Sequence, residues 1–394
     1  MSAETKRKLV RLPRALIVQI LKESGQALSS SRGSRRRMKI VKMRSLGEIA
    51  TEATASRNDK IVTLEVSIGT EPAERRTFRI RFSPAGDDYL YQTRPELALA
   101  DTMGAMNAME NVYRRMRDDK HPGAAGVPRT YGVGIRRRNR KRLFILPPRV
   151  EWEGLVSCQA FTEGTDLLSG LMARKNETSV NEDDVTTMTA LAELLKAIHV
   201  KEDITDSARE FLFEESKRYM LGRVGGWHNL SHGKHSLLTS DEGCALHQLI
   251  SSTIHECGGA SERLRVVWGD AHFGNVLRGS DGSLAPNDPR VRSAYPQRGD
   301  PGVDVGFLVT DLWWFYRVFG NPAFKARAQV LLEAYENLTG DKEIRTMAAR
   351  TGVPYRTAMR LKGPYGKAEE ILRARPFVDD TRKWMVGRCI DVSL

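Results

Sequence analysis

The ten residues WGDAHFGNVL, at 268–277, carry the strongest structural signal in the sequence. The apolar residues LRVVW (264–268) predict a strand, a Gly-containing loop then presents Asp270, and Asn275 follows just before a second apolar segment. Phosphoryl transfer needs such an arrangement, because a carboxylate must orient or deprotonate the attacking hydroxyl while oxygen ligands hold magnesium on the phosphates. We therefore predict Asp270 as the general base and Asn275 as a Mg²⁺ ligand. An ordinary Gly/Asn turn would also fit these ten residues taken alone.

The loop resembles the hallmark HGDxHxxN of the aminoglycoside phosphotransferase and choline kinase-like superfamily. Two downstream elements extend the resemblance: NDPR at 287–290 is similar to the IDPR variant of the second metal-binding motif, and GDPGVD at 299–304 matches the element GDPxxD. Upstream, GVPRTYGVG (126–134) resembles the family's fourth strand, and LLKAIHV (194–200) resembles the helix that packs beneath the site. The agreement in order and spacing runs over about residues 60–340, and an ordered set is far more specific than one motif.

The resemblance implies a bilobal α+β fold of the protein kinase type, with a small antiparallel-sheet N-lobe and a larger, mostly helical C-lobe. It implies ATP or GTP and Mg²⁺ as cofactors, with Asp288 as the principal magnesium ligand and Asp304 bracing the catalytic loop. Trp268 stands where the family usually has a His, so the hydrogen bond that normally steadies the loop must be replaced.

The expected nucleotide-binding residues depart further from the family. Kinases place on the third strand a Lys that clamps the phosphates, yet DYLYQTR (88–94) has none, and Gln92 falls at its place. Arg94, or Arg81 from the neighbouring strand, is expected to supply the charge, with Glu110 as helix partner; an Arg is not equivalent to a Lys there. By resemblance, the hinge that contacts the adenine is expected at Val156, Ser157, Cys158 and Gln159.

Other residues near these motifs have ordinary alternatives. We expect His199 to be a core or capping residue, and His272 either to brace the loop or to touch the phosphates. Trp313 and Trp314 lie in an apolar helical stretch and are predicted to be core. The segment 346–361 has a helix, glycine, helix rhythm, which fits either a helix-turn-helix unit or terminal helices of the large lobe.

Periodicity predicts strands at KIVTLEVSIG, TFRIRF, DYLYQTR, GVPRTYGVG and RLFILPP, with one helix from Pro95 to Met116 after the third strand. The basic run 136–142, six Lys or Arg in seven positions, is interpreted as a hairpin tip. Beyond Phe161 the pattern becomes helical. The predicted organisation is a basic arm (1–45), a nucleotide-binding N-lobe (46–160), a catalytic C-lobe (161–340) and a C-terminal helical segment of that lobe (341–394).

The charge of the 394-residue chain is unevenly distributed. The net charge is +13, but residues 1–44 contain 13 Lys or Arg against 2 Glu, and residues 151–394 contain 30 basic against 34 acidic side chains. The basic arm is expected either to be solvated or to contact nucleic acid or another anionic surface. Four dispersed cysteines and no apolar run of transmembrane length favour a cytoplasmic protein without a transmembrane segment.

Three functions remain open from the sequence. The first is phosphoryl transfer from ATP or GTP to a hydroxyl-bearing small molecule, and the acidic C-terminal half favours a cationic acceptor. The second is a degenerate kinase-like protein that binds nucleotide and uses its basic arm to engage nucleic acid or a large assembly. The third is a kinase that acts on protein or RNA.

Overall fold

A computed structural model describes the chain in segments: residues 38–45, 60–68, 74–84, 110–127, 130–140, 149–160, 164–201, 236–257, 261–286, 298–362 and 378–390, and the single helical positions 207, 210, 214 and 221. The chain divides into two compact units. The first comprises Met1–Met106 and Pro128–Phe161, and the second comprises Asn107–Val127 and Thr162–Leu394. The predicted basic arm up to residue 37 and the predicted strand 88–94 lie outside the described residues.

The first unit contains a five-stranded antiparallel sheet. Its strands are β1 (Met38–Ser45), β2 (Lys60–Ile68), β3 (Glu74–Pro84), β4 (Thr130–Arg140) and β5 (Arg149–Ala160). Their order across the sheet is β1-β2-β3-β5-β4, so among the described strands β1 and β4 lie at the edges. The small antiparallel sheet predicted for the N-terminal part of the chain is therefore present.

Two boundaries of this sheet differ from the prediction. Met38–Ser45 is a strand paired with β2, although it was predicted as part of the basic arm. Part of the basic run, Arg136–Arg140, lies in β4 rather than at a hairpin tip. Charged residues are common on edge strands, because an edge faces solvent along one side. The whole segment predicted as the fifth strand, 142–148, lies outside the described residues, and the observed fifth strand is β5.

The second unit is mostly helical. Its α-helices are α1 (Leu167–Ala173), α2 (Glu182–Ile198), α3 (Ser240–Cys257), α4 (Gly302–Phe319), α5 (Pro322–Thr339), α6 (Ile344–Met347), α7 (Val353–Lys362) and α8 (Val378–Ile390). Residues 110–118 are also helical and belong to this unit, where Val112 and Met116 join its core. None of the described helices has the length and apolar character needed to cross a bilayer.

Short strands frame the loops between these helices. They are β6 (Thr165–Asp166), β7 (Arg265–Val266), β8 (Val276–Arg278), β9 (Leu284–Pro286) and β10 (Arg298–Gly299). β8 pairs with β6 and β9, and β7 pairs with β10. These pairings bring the segment before Asp270 next to the segment that leads into α4.

Helix α4 is the centre of the core. Every residue from Gly302 to Phe315 is buried, including Trp313 and Trp314, which confirms the prediction for the two tryptophans. A helix that is apolar on all sides is stable only when other elements surround it, and α5, α7 and α8 pack around this one. It ends at Gly320, whose φ of 62° is in the left-handed region that glycine adopts without strain.

The helix-turn-helix interpretation of 346–361 is wrong. Helix α6, a π-helical stretch (Ala348–Gly352) and α7 follow one another without a turn. Gly352 provides close packing instead: a Cβ at this position would lie 2.4 Å from the carbonyl oxygen of Val303 in α4. The ordinary alternative, helices packed within the large unit, describes this segment.

Candidate active site

The loop between β7 and β8 presents Asp270. Gly269 has a φ of 73°, a conformation that costs other residues energy, so glycine is required immediately before the aspartate. Ala271 and Phe273 are fully buried and anchor the loop in the core. Phe273–Asn275 then forms a single 3-10 turn that leads into β8.

Asp270 and Asn275 are in direct contact. The amide nitrogen Nδ2 of Asn275 donates to Oδ2 of Asp270 (3.2 Å) and to the backbone oxygen of Asp270 (3.1 Å). Both side chains are buried, with Asp270 4% and Asn275 8% exposed. Because Nδ2 is directed at Asp270, the other end of the amide, the oxygen Oδ1, remains to bind a cation.

Asp304 holds the backbone of this loop. Its Oδ1 accepts from the backbone N–H of Gly269 (2.7 Å), and its Oδ2 accepts from the backbone N–H of Trp268 (2.6 Å) and from Nε2 of His199 (3.0 Å). Asp304 is fully buried in the first turn of α4, where the helix dipole favours a negative charge. The carboxylate holds Trp268 and Gly269 by their backbones, so these bonds do not depend on the side chain at position 268.

A hydrogen-bonded chain continues from Asp304 to helix α5. An ionised carboxylate only accepts hydrogen bonds, so Nε2 of His199 carries the proton it donates to Asp304. The other ring nitrogen, Nδ1, lies 2.7 Å from the hydroxyl of Tyr335 and accepts from it in the neutral imidazole. Burial is the main cause that raises the pKa of Tyr335, which keeps this hydroxyl protonated as a donor. His199 is thus a buried residue that caps α2, as predicted.

His272 lies beside the catalytic candidate. Its Nε2 is 4.0 Å from Oδ2 of Asp270, and its side chain is 25% exposed. Burial lowers the pKa of His272, while the negative charge of Asp270 raises it. Glycine at 274 leaves room for the ring, since a Cβ there would lie 3.3 Å from Cε1 and Nδ1 of His272.

The GDPGVD segment is fastened by an arginine that sequence reasoning did not single out. Oδ1 of Asp300 accepts from the backbone N–H of Gly302 (2.7 Å), which shapes the turn into α4. Arg263 donates through Nε to Oδ2 of Asp300 (2.6 Å) and through Nη2 to Oδ2 of Asp341 (2.8 Å). Sequence spacing gives no signal for these contacts, because the partners are 37 and 78 positions away.

Several predicted site residues are not placed. Asp288, Gln92 and Arg94 lie outside the described residues, so their roles stay predictions. Arg81 is described only as a backbone position in β3, paired with Ile61 and Ser157.

Glu110 and the predicted hinge are described in part. Oε1 of Glu110 accepts from Nε of Arg114, one helical turn away (3.2 Å). The hinge candidates Val156, Ser157, Cys158 and Gln159 lie inside β5, between β3 and β4. A strand with neighbours on both sides uses its backbone groups in the sheet. The structure therefore gives no direct support to adenine contacts from these four backbones.

The loop offers oxygen ligands of the kind that Mg²⁺ prefers. Within the described segments these are the carboxylate of Asp270 and Oδ1 of Asn275, and no group of three or more His, Cys, Asp or Glu is found that would form a metal site by itself. The donor types fit Mg²⁺, and the predicted ligand besides Asn275, Asp288, lies outside the described residues.

Comparison with known proteins gives structural matches only. No protein-family model matches the sequence, and a search of curated proteins finds no significant match. The chain resembles known phosphotransferases in structure. It is similar to spectinomycin phosphotransferase APH(9)-Ia in complex with ADP and spectinomycin, with 13% identity, coverage of 90% of this chain and 94% of that one, and a TM-score of 0.37. It is also similar to APH(2'')-IIa in its ternary complex with streptomycin and ATP, with 11% identity, coverage of 96% of this chain and 97% of that one, and a TM-score of 0.42. The choline kinase LicA from Streptococcus pneumoniae has 11% identity, coverage of 95% of this chain and 99% of that one, and a TM-score of 0.39.

A further group of charged residues lies near His272. Asp311 of α4 and Arg356 and Arg360 of α7 are all close enough to act electrostatically on its ring. No pattern in the sequence linked these three residues to Asp270.

Proposed function

We propose that this chain is a phosphotransferase with a kinase-like bilobal fold, which moves the γ-phosphate of ATP or GTP to a hydroxyl group of a small molecule. The observation that supports this most strongly is the Asp270–Asn275 pair, held in one loop whose backbone is fixed by Asp304. Such a loop presents a carboxylate and an amide oxygen together, which is the combination that the reaction requires.

In the proposed mechanism, Asp270 accepts the proton of the acceptor hydroxyl as that oxygen attacks the γ-phosphorus. The new oxygen–phosphorus bond forms as the bond to the leaving diphosphate oxygen breaks, and the products are the phosphorylated acceptor and ADP or GDP. Asn275 and Asp288 are proposed to hold Mg²⁺, which when bound offsets the negative charge of the phosphates. The fixed geometry of the loop keeps Asp270 oriented for proton transfer.

The function is tested by measuring release or transfer of the γ-phosphate from radiolabelled ATP with Mg²⁺. We expect the wild-type chain to transfer phosphate to an acceptor in a panel, or to hydrolyse ATP slowly. The variant Asp270→Asn removes the base and should lower either rate by about 10²–10⁴-fold. Asp281→Asn is the matched control, because Asp281 is an exposed turn residue whose carboxylate caps Ser283.

Two results would contradict this assignment. Equal turnover by Asp270→Asn and wild type would exclude Asp270 as the base. Tight nucleotide binding without turnover by the wild type, under conditions that activate a known phosphotransferase, would instead favour the degenerate kinase-like alternative.

A further inference from the structure

Two arginines of α7 share one buried carboxylate of α4. Arg356 donates through Nε and Nη2 to the two oxygens of Asp311 (2.9 and 3.1 Å). Arg360, one helical turn further on, donates through Nε and Nη2 to Oδ1 of Asp311 (3.2 and 2.9 Å). Asp311 is 2% exposed, and each arginine side chain is 15% exposed. Asp311 is thus shared by two guanidinium groups.

This cluster acts electrostatically on His272, the neighbour of the proposed base. The ring of His272, whose Nε2 is 4.0 Å from Asp270, is within electrostatic reach of Arg356, Arg360 and Asp311. The two arginines oppose protonation of His272, whereas Asp270 and Asp311 favour it. The charged groups of α4 and α7 that act on this neighbour of Asp270 therefore include two cations and one carboxylate.

The donor geometry of Arg356 leaves part of its guanidinium unused by the shared carboxylate. Asp311 is bound by Nε and Nη2, and Nη1 takes no part in those bonds. A guanidinium has five N–H donors in a planar fork that matches carboxylate and phosphate oxygens. The Arg356 side chain is 15% exposed, and an N–H donor that the carboxylate does not use suits a second oxyanion more than a cationic amine.

We propose that Arg356 and Arg360 form a subsite for an oxyanion next to Asp270, and that the acceptor is an anionic alcohol, such as a hydroxy acid or a phosphorylated alcohol. This inference rests on the proposed function for its identification of the acceptor. It reverses the expectation of a cationic acceptor drawn from the acidic C-terminal half, because the charges that decide recognition are those beside Asp270. Residues 202–215, an acidic part of that half, are described only at positions 207, 210 and 214.

Inorganic phosphate is the probe for the subsite itself, with calorimetric titration of the full chain as the measurement. We expect the wild type to bind phosphate and Arg356→Gln to bind it at least tenfold more weakly. Arg345→Gln is the matched control: Arg345 lies on the same helical segment but pairs with Glu336 (2.9 Å), and its loss should leave phosphate binding unchanged.

Asp311→Asn separates a binding role from a purely structural one. It removes the carboxylate that competes for the arginines, so phosphate should bind more tightly than to the wild type. A structural role alone predicts no such gain. If Arg356→Gln does not fold by circular dichroism, Arg356→Lys keeps the charge but loses the planar fork, and should weaken phosphate binding several-fold. No binding by the wild type, or equal binding by Arg356→Gln and Arg345→Gln, would overturn the subsite.

The source of the oxyanion is decided by a second titration, with a non-hydrolysable ATP analogue and Mg²⁺. We expect Arg356→Gln to leave the affinity for the analogue unchanged, and phosphate to bind together with it. Weaker analogue binding by Arg356→Gln, with competition by phosphate, would assign the subsite to the γ-phosphate and overturn the acceptor assignment.

Transfer assays with matched pairs complete the test. Serine against ethanolamine, and glycerol 3-phosphate against glycerol, differ in the anionic group and retain the hydroxyl. Preference for the anionic members, lost in Arg356→Gln, supports the inference, and preference for the uncharged or cationic members contradicts it. Phosphate binding without turnover by the wild type would contradict the proposed function and leave the subsite standing.

Discussion

At the scale of single residues, the candidate site depends on one buried carboxylate with three donors. Asp304 binds two successive backbone N–H groups of the Asp270 loop and the His199 ring, so the loop is fixed to the first turn of α4. Hydrogen bonds to a charged group are stronger than those between neutral groups. Tyr335 extends this support to α5 through His199.

Removing the Tyr335 hydroxyl should therefore weaken the fold. Tyr335→Phe leaves Nδ1 of His199 buried without its donor, and we expect the free energy of unfolding to fall by about 1–3 kcal/mol. Tyr316→Phe removes the hydroxyl of a partly exposed tyrosine on α4 and is the control. Chemical denaturation measures both. Equal stability of the two variants would show that the Tyr335 bond contributes nothing.

Local patterns predicted the residues of the loop but not its support. The sequence around 268–277 predicted a strand, a Gly-Asp loop and a second strand, because the glycine, the acid and the flanking apolar residues are neighbours in sequence. The contacts of Asp304 with His199 and of His199 with Tyr335 join residues more than 100 positions apart. Such contacts arise from packing and leave no periodic pattern in a single sequence.

At the scale of elements, close backbone contacts and ion pairs join the central helix α4 to the helical segment that follows α5. The ion pairs of Asp311 with Arg356 and Arg360 are called the α4–α7 clamp below. Gly302 and Gly306 of α4 approach the backbone of 347–353 so closely that a Cβ at either position would lie within 3 Å of it. The Asp311 ion pairs continue this interface one to two turns further along α4. Neither the close backbone approach nor the Asp311 ion pairs were predicted from the sequence, where Gly352 suggested a turn.

The Asp311 carboxylate of the α4–α7 clamp should become protonated in acid. Burial alone would raise the pKa of Asp311, but Arg356 and Arg360 overcome this and hold the pKa at about 2, below its usual value of 3.8. Because the folded-state pKa is depressed, the carboxylate contributes stability above the unfolded pKa and loses it as pH falls through the folded pKa.

The stability difference between the wild type and Asp311→Asn should therefore be constant above about pH 4 and shrink by about 2 kcal/mol as the pH falls toward 2. Denaturant unfolding at a series of pH values measures it. A difference that stays constant over this range would mean that Asp311 is not held ionised by its arginines.

Two strands of the first sheet depart from the apolar alternation by which strands are predicted from sequence. The register of β1 shifts between Ile40 and Lys42, so the apolar alternation that identifies a strand is interrupted. In β4 the basic residues occupy a sheet edge, where a charge run is compatible with a strand as well as with a loop.

At the scale of the whole molecule, the sequence and structure assign the proposed chemistry and the excess positive charge to different parts of the chain. Residues 1–150 carry 32 basic against 15 acidic side chains, while Asp270, Asn275 and Asp304 belong to the second unit. Contact of residues 1–44 with nucleic acid or another anionic surface stays a prediction. Any truncation that tests it should end before Met38, because β1 is part of the sheet.

The central claim is that Asp270 and Asn275 face a metal-bound triphosphate. The most direct measurement is a crystal structure with Mn²⁺ in place of Mg²⁺ and a non-hydrolysable ATP analogue, with the metal located by its anomalous scattering. We expect a Mn²⁺ ion within about 2.5 Å of Oδ1 of Asn275, bound to the phosphates, with Asp270 beside the γ-phosphate. A metal and nucleotide bound away from Asp270 and Asn275 would contradict the assignment.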